Sequence, residues 1–144
     1  SDKLEVIRAR TIDAAAKIAD ESLDWIYIDG DHTLRGITID LLALYDKVKP
    51  GGFIGGDDFH ATAQHSTDFE PTLVCPFAVY FAEAKGLPFR ALGHGQFVID
   101  KDPGKGFSFN DDDGRFGNLS LRRDDSTMKF IRRKLGGLKR ALRG

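Results

Sequence analysis

Leu23-Asp24-Trp25-Ile26-Tyr27-Ile28-Asp29-Gly30-Asp31-His32 and Gly51-Gly52-Phe53-Ile54-Gly55-Gly56-Asp57-Asp58-Phe59-His60 decide the fold, because in each an apolar run breaks into acids. Short apolar runs bounded by turn residues read as buried strands. Trp25, inside the first run, reads as core. Between the runs, Thr33 is placed to cap a helix reaching about Lys47. Its buried side carries Ile37, Leu41, Leu42, Leu44, Tyr45 and Val48, and Pro50-Gly51-Gly52 stops it. Strand, helix and strand in one crossover give parallel strands whose carboxyl ends point the same way. Neighbouring strands lie about 4.8 Å apart, so carboxylates from both tips share one rim, where ligand sites of open α/β sheets sit.

Working outward, Leu4 to Arg10 reads as an opening strand, and Thr11 as the N-cap of a helix reaching about Asp20. Residues 60–71 read as a loop carrying His60 and His65. Thr72 to Lys85 has helical spacing, ended by Gly86-Leu87-Pro88. Phe89 to Leu92 and Gln96 to Asp100 flank Gly93-His94-Gly95 as a hairpin, with His94 at the surface. The order predicts an α/β domain over residues 1–100, with a mostly parallel sheet ending in an antiparallel carboxyl-terminal hairpin. Residues 101–127 read as a polar loop region. Residues 128–144 form a basic amphipathic helical tail with Met128, Ile131, Leu135, Leu138 and Leu142 along one stripe.

With 144 residues, 41% of them apolar and 30% charged, the chain suits one folded domain and argues against wholesale disorder. No apolar run approaches the roughly 20 residues of a membrane span and no secretory signal is visible, so a cytoplasmic location is expected. Cys75 is the single cysteine; it makes no internal disulfide and reads as a small buried residue. No Cys/His spacing matches a structural zinc site. Residues 122–144 carry nine Lys/Arg against Asp124 and Asp125, a charge of +7, which leaves −8 on the remainder. This polarity gives the tail three readings: packing on the domain, docking on a second copy or another subunit, or lying on an anionic membrane surface. No nucleic-acid partner is expected.

Ile28-Asp29-Gly30-Asp31-His32, Asp40-Leu41 and Lys49-Pro50-Gly51-Gly52 through Asp57-Asp58 together resemble the second half of class I S-adenosylmethionine-dependent methyltransferases. They are similar in particular to the group writing "IDGDH" and "PGG…DD", related to metal-dependent O-methyltransferases of catechols, caffeoyl esters and antibiotic sugars. The resemblance covers about residues 4–100 and implies a Rossmann-like methyltransferase fold whose sheet ends in the hairpin read above. That family binds its cofactor through a glycine-rich loop after its first strand and an acid after its second. The opening strand here corresponds to the third, and no G-x-G-x-x-G occurs. The chain therefore looks like the carboxyl-terminal two-thirds of such a domain, with the amino-terminal strands missing.

The implied function is S-adenosylmethionine-dependent methyl transfer to an oxygen of a small hydroxylated molecule or sugar, with assistance from Mg²⁺. By the resemblance, Asp29 matches the first metal carboxylate and Asp57 and Asp58 the second and third; hard oxygen ligands suit Mg²⁺. Arg10, Thr11 and Ile12 fall where relatives contact the adenine edge, and Asp29-Gly30 where they meet the methionine end. Free imidazole titrates near about 6.5, so His32 is the candidate general base toward the acceptor hydroxyl, with Asp31 to hold it. Two other readings compete. One takes Asp29-Gly30-Asp31 as the D-x-D metal site of a glycosyltransferase, which leaves Asp57-Asp58 unexplained. The other is a non-catalytic interaction module.

Overall fold

The computed structural model describes residues 4–60, 64–65 and 71–116. In chain order they form α1 (Thr11–Ala15), β1 (Leu23–Ile28), α2 (Leu34–Leu44) and a 3-10 turn (Tyr45–Lys47), then β2 (Val48–Gly56), β3 (Gln64–His65) and β4 (Pro71–Thr72). After these come α3 (Val74–Lys85), β5 (Pro88–Ala91), β6 (Phe97–Asp100) and β7 (Ser108–Asp111). Five strands make one sheet in the order β1-β2-β6-β5-β7, and β3 and β4 pair as a separate ribbon. The result is a mixed α/β fold consistent with a Rossmann-like architecture.

The sheet is less parallel than the element order predicts. β1–β2 and β5–β7 are parallel, whereas β2–β6 and β5–β6 are antiparallel. The cause is the hairpin, which folds β6 in beside β2 and leaves β5 outside it. Its connection turns tightly through His94 (φ 62°) and Gly95 (φ 79°). β7 falls where a polar loop was expected; Phe109 stacks on Phe89 with centroids 5.6 Å apart, so one aromatic contact orders a segment rich in Gly and Asp.

Residues 4–10 form no strand, against expectation. Leu4 is 82% and Val6 72% exposed. A strand needs a neighbour's ladder, and among the described residues the sheet begins at β1, which pairs only with β2. The helix after it is also shorter than its spacing suggests. Arg10, not Thr11, is the N-cap and makes no side-chain cap bond; beyond Ala15 the chain continues in turns, with Lys17 N–H donating to the Ala14 carbonyl. The tail at 128–144 lies outside the described residues. No described helix is long and apolar enough to cross a membrane.

The core lies between one sheet face and the helices α2 and α3. Ile26, Ile28, Ile54, Phe97 and Ile99 from the strands meet Ile37, Leu41, Ala78 and Phe81 from the helices. Phe59 plugs the centre, its ring 4.7 Å from Phe116, 5.2 Å from Phe89 and 5.7 Å from Phe97. Leu42, expected inside, is 58% exposed, because one step along a helix from Leu41 turns a side chain by about 100°. The opposite sheet face carries Trp25, Tyr27 and Phe53 into solvent, with Trp25 stacked on Phe53 at 5.9 Å. Alternation along β1 puts Ile26 and Ile28 on the covered face and Trp25 on the open one, so Trp25 is not core.

Leu41 is fully buried, so Leu41→Ala is expected to lower unfolding stability by about 2–5 kcal/mol, read from denaturant titration. Burial pushes the Cys75 thiol from 9.0 up to about 12. The fold therefore favours the protonated thiol, and that contribution is lost as pH rises above 9 toward 12. Cys75 should resist thiol reagents at pH about 8 in the native state and react once denaturant unfolds the chain.

Candidate functional site

The β1–β2 register pairs Ile28 with Gly56, and the Asp57 N–H donates to the Ile28 carbonyl at 3.1 Å, carrying the ladder one residue past β2. Asp29 and Asp57 therefore leave the sheet side by side. The Tyr27 phenol marks the shared rim. Partial burial raises its pKa most, the charges of Asp57 and Asp29 raise it further, and Asp58 adds a smaller effect. Gln96 Nε2 donates to the Tyr27 hydroxyl at 3.0 Å and opposes that rise.

Asp58 does not follow the strand direction. Its φ is 57°, a left-handed conformation that Asp tolerates better than most residues. Beyond it the Phe59 N–H donates to the Gly95 carbonyl at 2.7 Å and the ring enters the core, fixing the turn from below. The turn brings Asp58 Oδ2 to 3.2 Å from His32 Nδ1 and Asp58 Oδ1 to 3.7 Å from His60 Nε2. Each of the three side chains stays about one-third exposed.

Asp31 has a different job. Its Oδ1 accepts the Thr33 N–H at 3.0 Å, and Thr33 Oγ1 accepts the Gly36 N–H at 3.1 Å, so acid and hydroxyl together start α2. The backbone bond from Thr33, then its side chain, hold the Asp31 carboxyl below the ordinary carboxylate range. Position 36 must be glycine, since a Cβ there would lie 2.0 Å from the Asp31 carbonyl oxygen. The acid that stands against His32 is thus Asp58, while Asp31 is engaged by the turn.

On the other side of this turn, Arg10, Thr11, Ile12 and Asp31 line one cleft of about 220 Å³ together with Arg35, Gly36, Ile39 and Asp40. Residues expected at the adenine edge thus meet a residue of the "IDGDH" stretch. The cleft is smaller than the roughly 300–1,000 Å³ that encloses a whole ligand, so it suits one end of an elongated molecule. Among the described residues no group of three or more His, Cys, Asp or Glu side chains is arranged to hold a metal ion. Asp29, Asp57 and Asp58 share a rim without forming such a group, and Asp58 is spent on two histidines. The His65 side chain lies outside the described residues.

Three participants escaped the sequence reading. Asp58's pairing with His60 depends on a left-handed turn that sequence does not announce. Tyr27 reads in sequence as one more strand residue, and Asp40, part of the motif that carries the resemblance, has no role of its own there. Asp40 did carry a signal: an acid between Ile37 and Leu41 on an otherwise apolar face.

Residues 1–59, about two-fifths of the chain, match a family described as a methyltransferase domain. This supports a methyltransferase domain and therefore a transferase, and the matched stretch contains the cleft, His32 and both strand tips. Such a domain implies S-adenosylmethionine in general terms. Neither the curated proteins nor the solved structures include a match.

Gly36→Ala should break the Asp31-Thr33 turn at the head of α2. The expected result is a stability loss of about 1–3 kcal/mol in chemical denaturation, as overpacking produces elsewhere.

Proposed function

We infer that this domain transfers a methyl group from S-adenosylmethionine to a hydroxyl of a small molecule or sugar, with His32 as general base. The observation that carries the reading is the cleft that Arg10, Thr11, Ile12 and Asp31 line together, next to strand tips that carry the acids and His32. The cleft fits the nucleoside end of the cofactor, with Ile12 and Ile39 as apolar walls and polar groups between them. Asp29-Gly30 at the β1 tip is the proposed neighbour of the methionine end. When bound, the cofactor supplies an electrophilic methyl on a sulfonium, which leaves as a neutral thioether.

The chain's own residues then have the acceptor to activate. Asp58 beside His32 Nδ1 favours the tautomer with its proton on Nδ1, leaving Nε2 as the proton acceptor. His32 Nε2 takes the hydroxyl proton as the oxygen bonds to carbon. Alignment of the acceptor hydroxyl with the sulfonium methyl supplies much of the remaining acceleration. No step is routed through Mg²⁺, because the three acids do not form an ion site.

Calorimetry on the full protein with S-adenosylhomocysteine should show binding that does not require Mg²⁺. Binding of a nucleotide sugar with metal instead, or silence with both, overturns the reading. In a methyl-transfer assay over hydroxylated acceptors, His32→Gln should lower kcat by about 10²–10⁴-fold. Asp58→Asn should lose less and leave KM nearly unchanged. Full turnover in His32→Gln would remove the base.

A further inference from the structure

Among the described residues the sheet is covered on one side only. α2 and α3 pack on the face of Ile26, Ile54 and Ile99, while the other face leaves Trp25, Tyr27 and Phe53 each 40–56% exposed. Register puts Val98 on that open face too, since it stands opposite Gly55, which stands opposite Tyr27. Adjoining exposed apolar side chains of this kind mark an interaction surface.

Acids border the patch. Asp100 stands opposite Phe53, and the charges of Asp57 and Asp29 are felt at the Tyr27 phenol. Against them stand Arg90, opposite Val98, and Lys49, which Asp24 already holds at 2.6 Å. A fitting partner is therefore apolar along one side and basic around it. A second copy of the same face meets only the first condition, because it brings its own acids to the same border.

Residues 128–144 meet both conditions. Met128, Ile131, Leu135, Leu138 and Leu142 recur at helical spacing, and seven Lys/Arg stand among them with no acid. As a helix the stripe is about 21 Å long, close to the roughly 20 Å of the six-residue β1. Phe116 is anchored against Phe59 at 4.7 Å, and residues 117–127 span up to about 36 Å when extended. The sheet measures about 19 Å from β1 across to β7, so the tether reaches the aromatic patch. Tethering also holds the segment at an effective concentration of about millimolar, an advantage over any free partner in dilute solution.

We propose that residues 128–144 fold back as a helix over the Trp25-Tyr27-Phe53 face of their own chain, with the apolar stripe inward and the basic side chains toward Asp29, Asp57 and Asp100. Gly136 and Gly137 each cost a helix about 1 kcal/mol relative to alanine, and so short a helix is marginal alone. Its order therefore depends on the sheet.

Hydrogen–deuterium exchange of the full protein, read by mass spectrometry, tests this. Amides of residues 131–142 should exchange at least about tenfold more slowly than in an unstructured chain. Phe53→Asp should remove that protection, whereas Tyr80→Asp, at an exposed position of α3 on the other side of the sheet, should not. Should Phe53→Asp fail to fold by circular dichroism, Trp25→Asp, at the most exposed ring of the patch, is read the same way. Unprotected exchange in wild type overturns the proposal. Protection that survives the loss of the patch, or that Tyr80→Asp removes equally, overturns it too. Protection that grows with protein concentration, alongside a dimer mass in sedimentation, assigns the segment to a second copy and overturns the fold-back.

Discussion

Parallel pairing of Ile28 with Gly56 is the constraint from which the rest of the site follows. It puts two chain segments, separated by a whole helix, at the same height on one sheet edge. The candidate site residues lie within four positions of those tips: Asp29 to His32 on one, Asp57 to His60 on the other. The core enforces the register, because a slip of one residue would send Ile26, Ile28 and Ile54 to the open face and Trp25 and Phe53 into the helices.

Backbone conformation then divides labour among acids that look alike in sequence. Asp31 sits just before a helix, so its carboxylate is drawn to the Thr33 N–H and hydroxyl and stays ionised. Asp58 sits in a left-handed turn and is thrown back against two imidazoles. Asp29 and Asp57 keep the strand direction and set the local field felt by Tyr27. A row of carboxylates is therefore not automatically an ion cage. Where each side chain points depends on one backbone torsion, and that is invisible to residue spacing.

Sequence was most legible where periodicity and punctuation agreed. The β1–α2–β2 unit, the Thr33 cap and the closing hairpin all combine an apolar pattern with turn residues at both ends. Prediction failed where a pattern lacked its partner. Leu4 to Ile7 alternates like a strand, yet pattern alone cannot supply the neighbouring ladder. Trp25 looked like core because hydrophobicity says that a residue prefers burial and not which face it occupies. β7 was hidden for the opposite reason: its ordering comes from Phe89, far away in sequence. In the site, the acids at the tips could be located in advance, but the pairing of His32 with Asp58 could not.

The sole indole of the chain stands on the uncovered sheet face, 56% exposed and stacked on Phe53. Its fluorescence is consequently a surface gauge. Loss of the hydrophobic core will alter the emission maximum only modestly, whereas any segment, subunit or chaperone that settles over that side will shift it to the blue. The protein thus comes with its own optical label for contact at one particular surface.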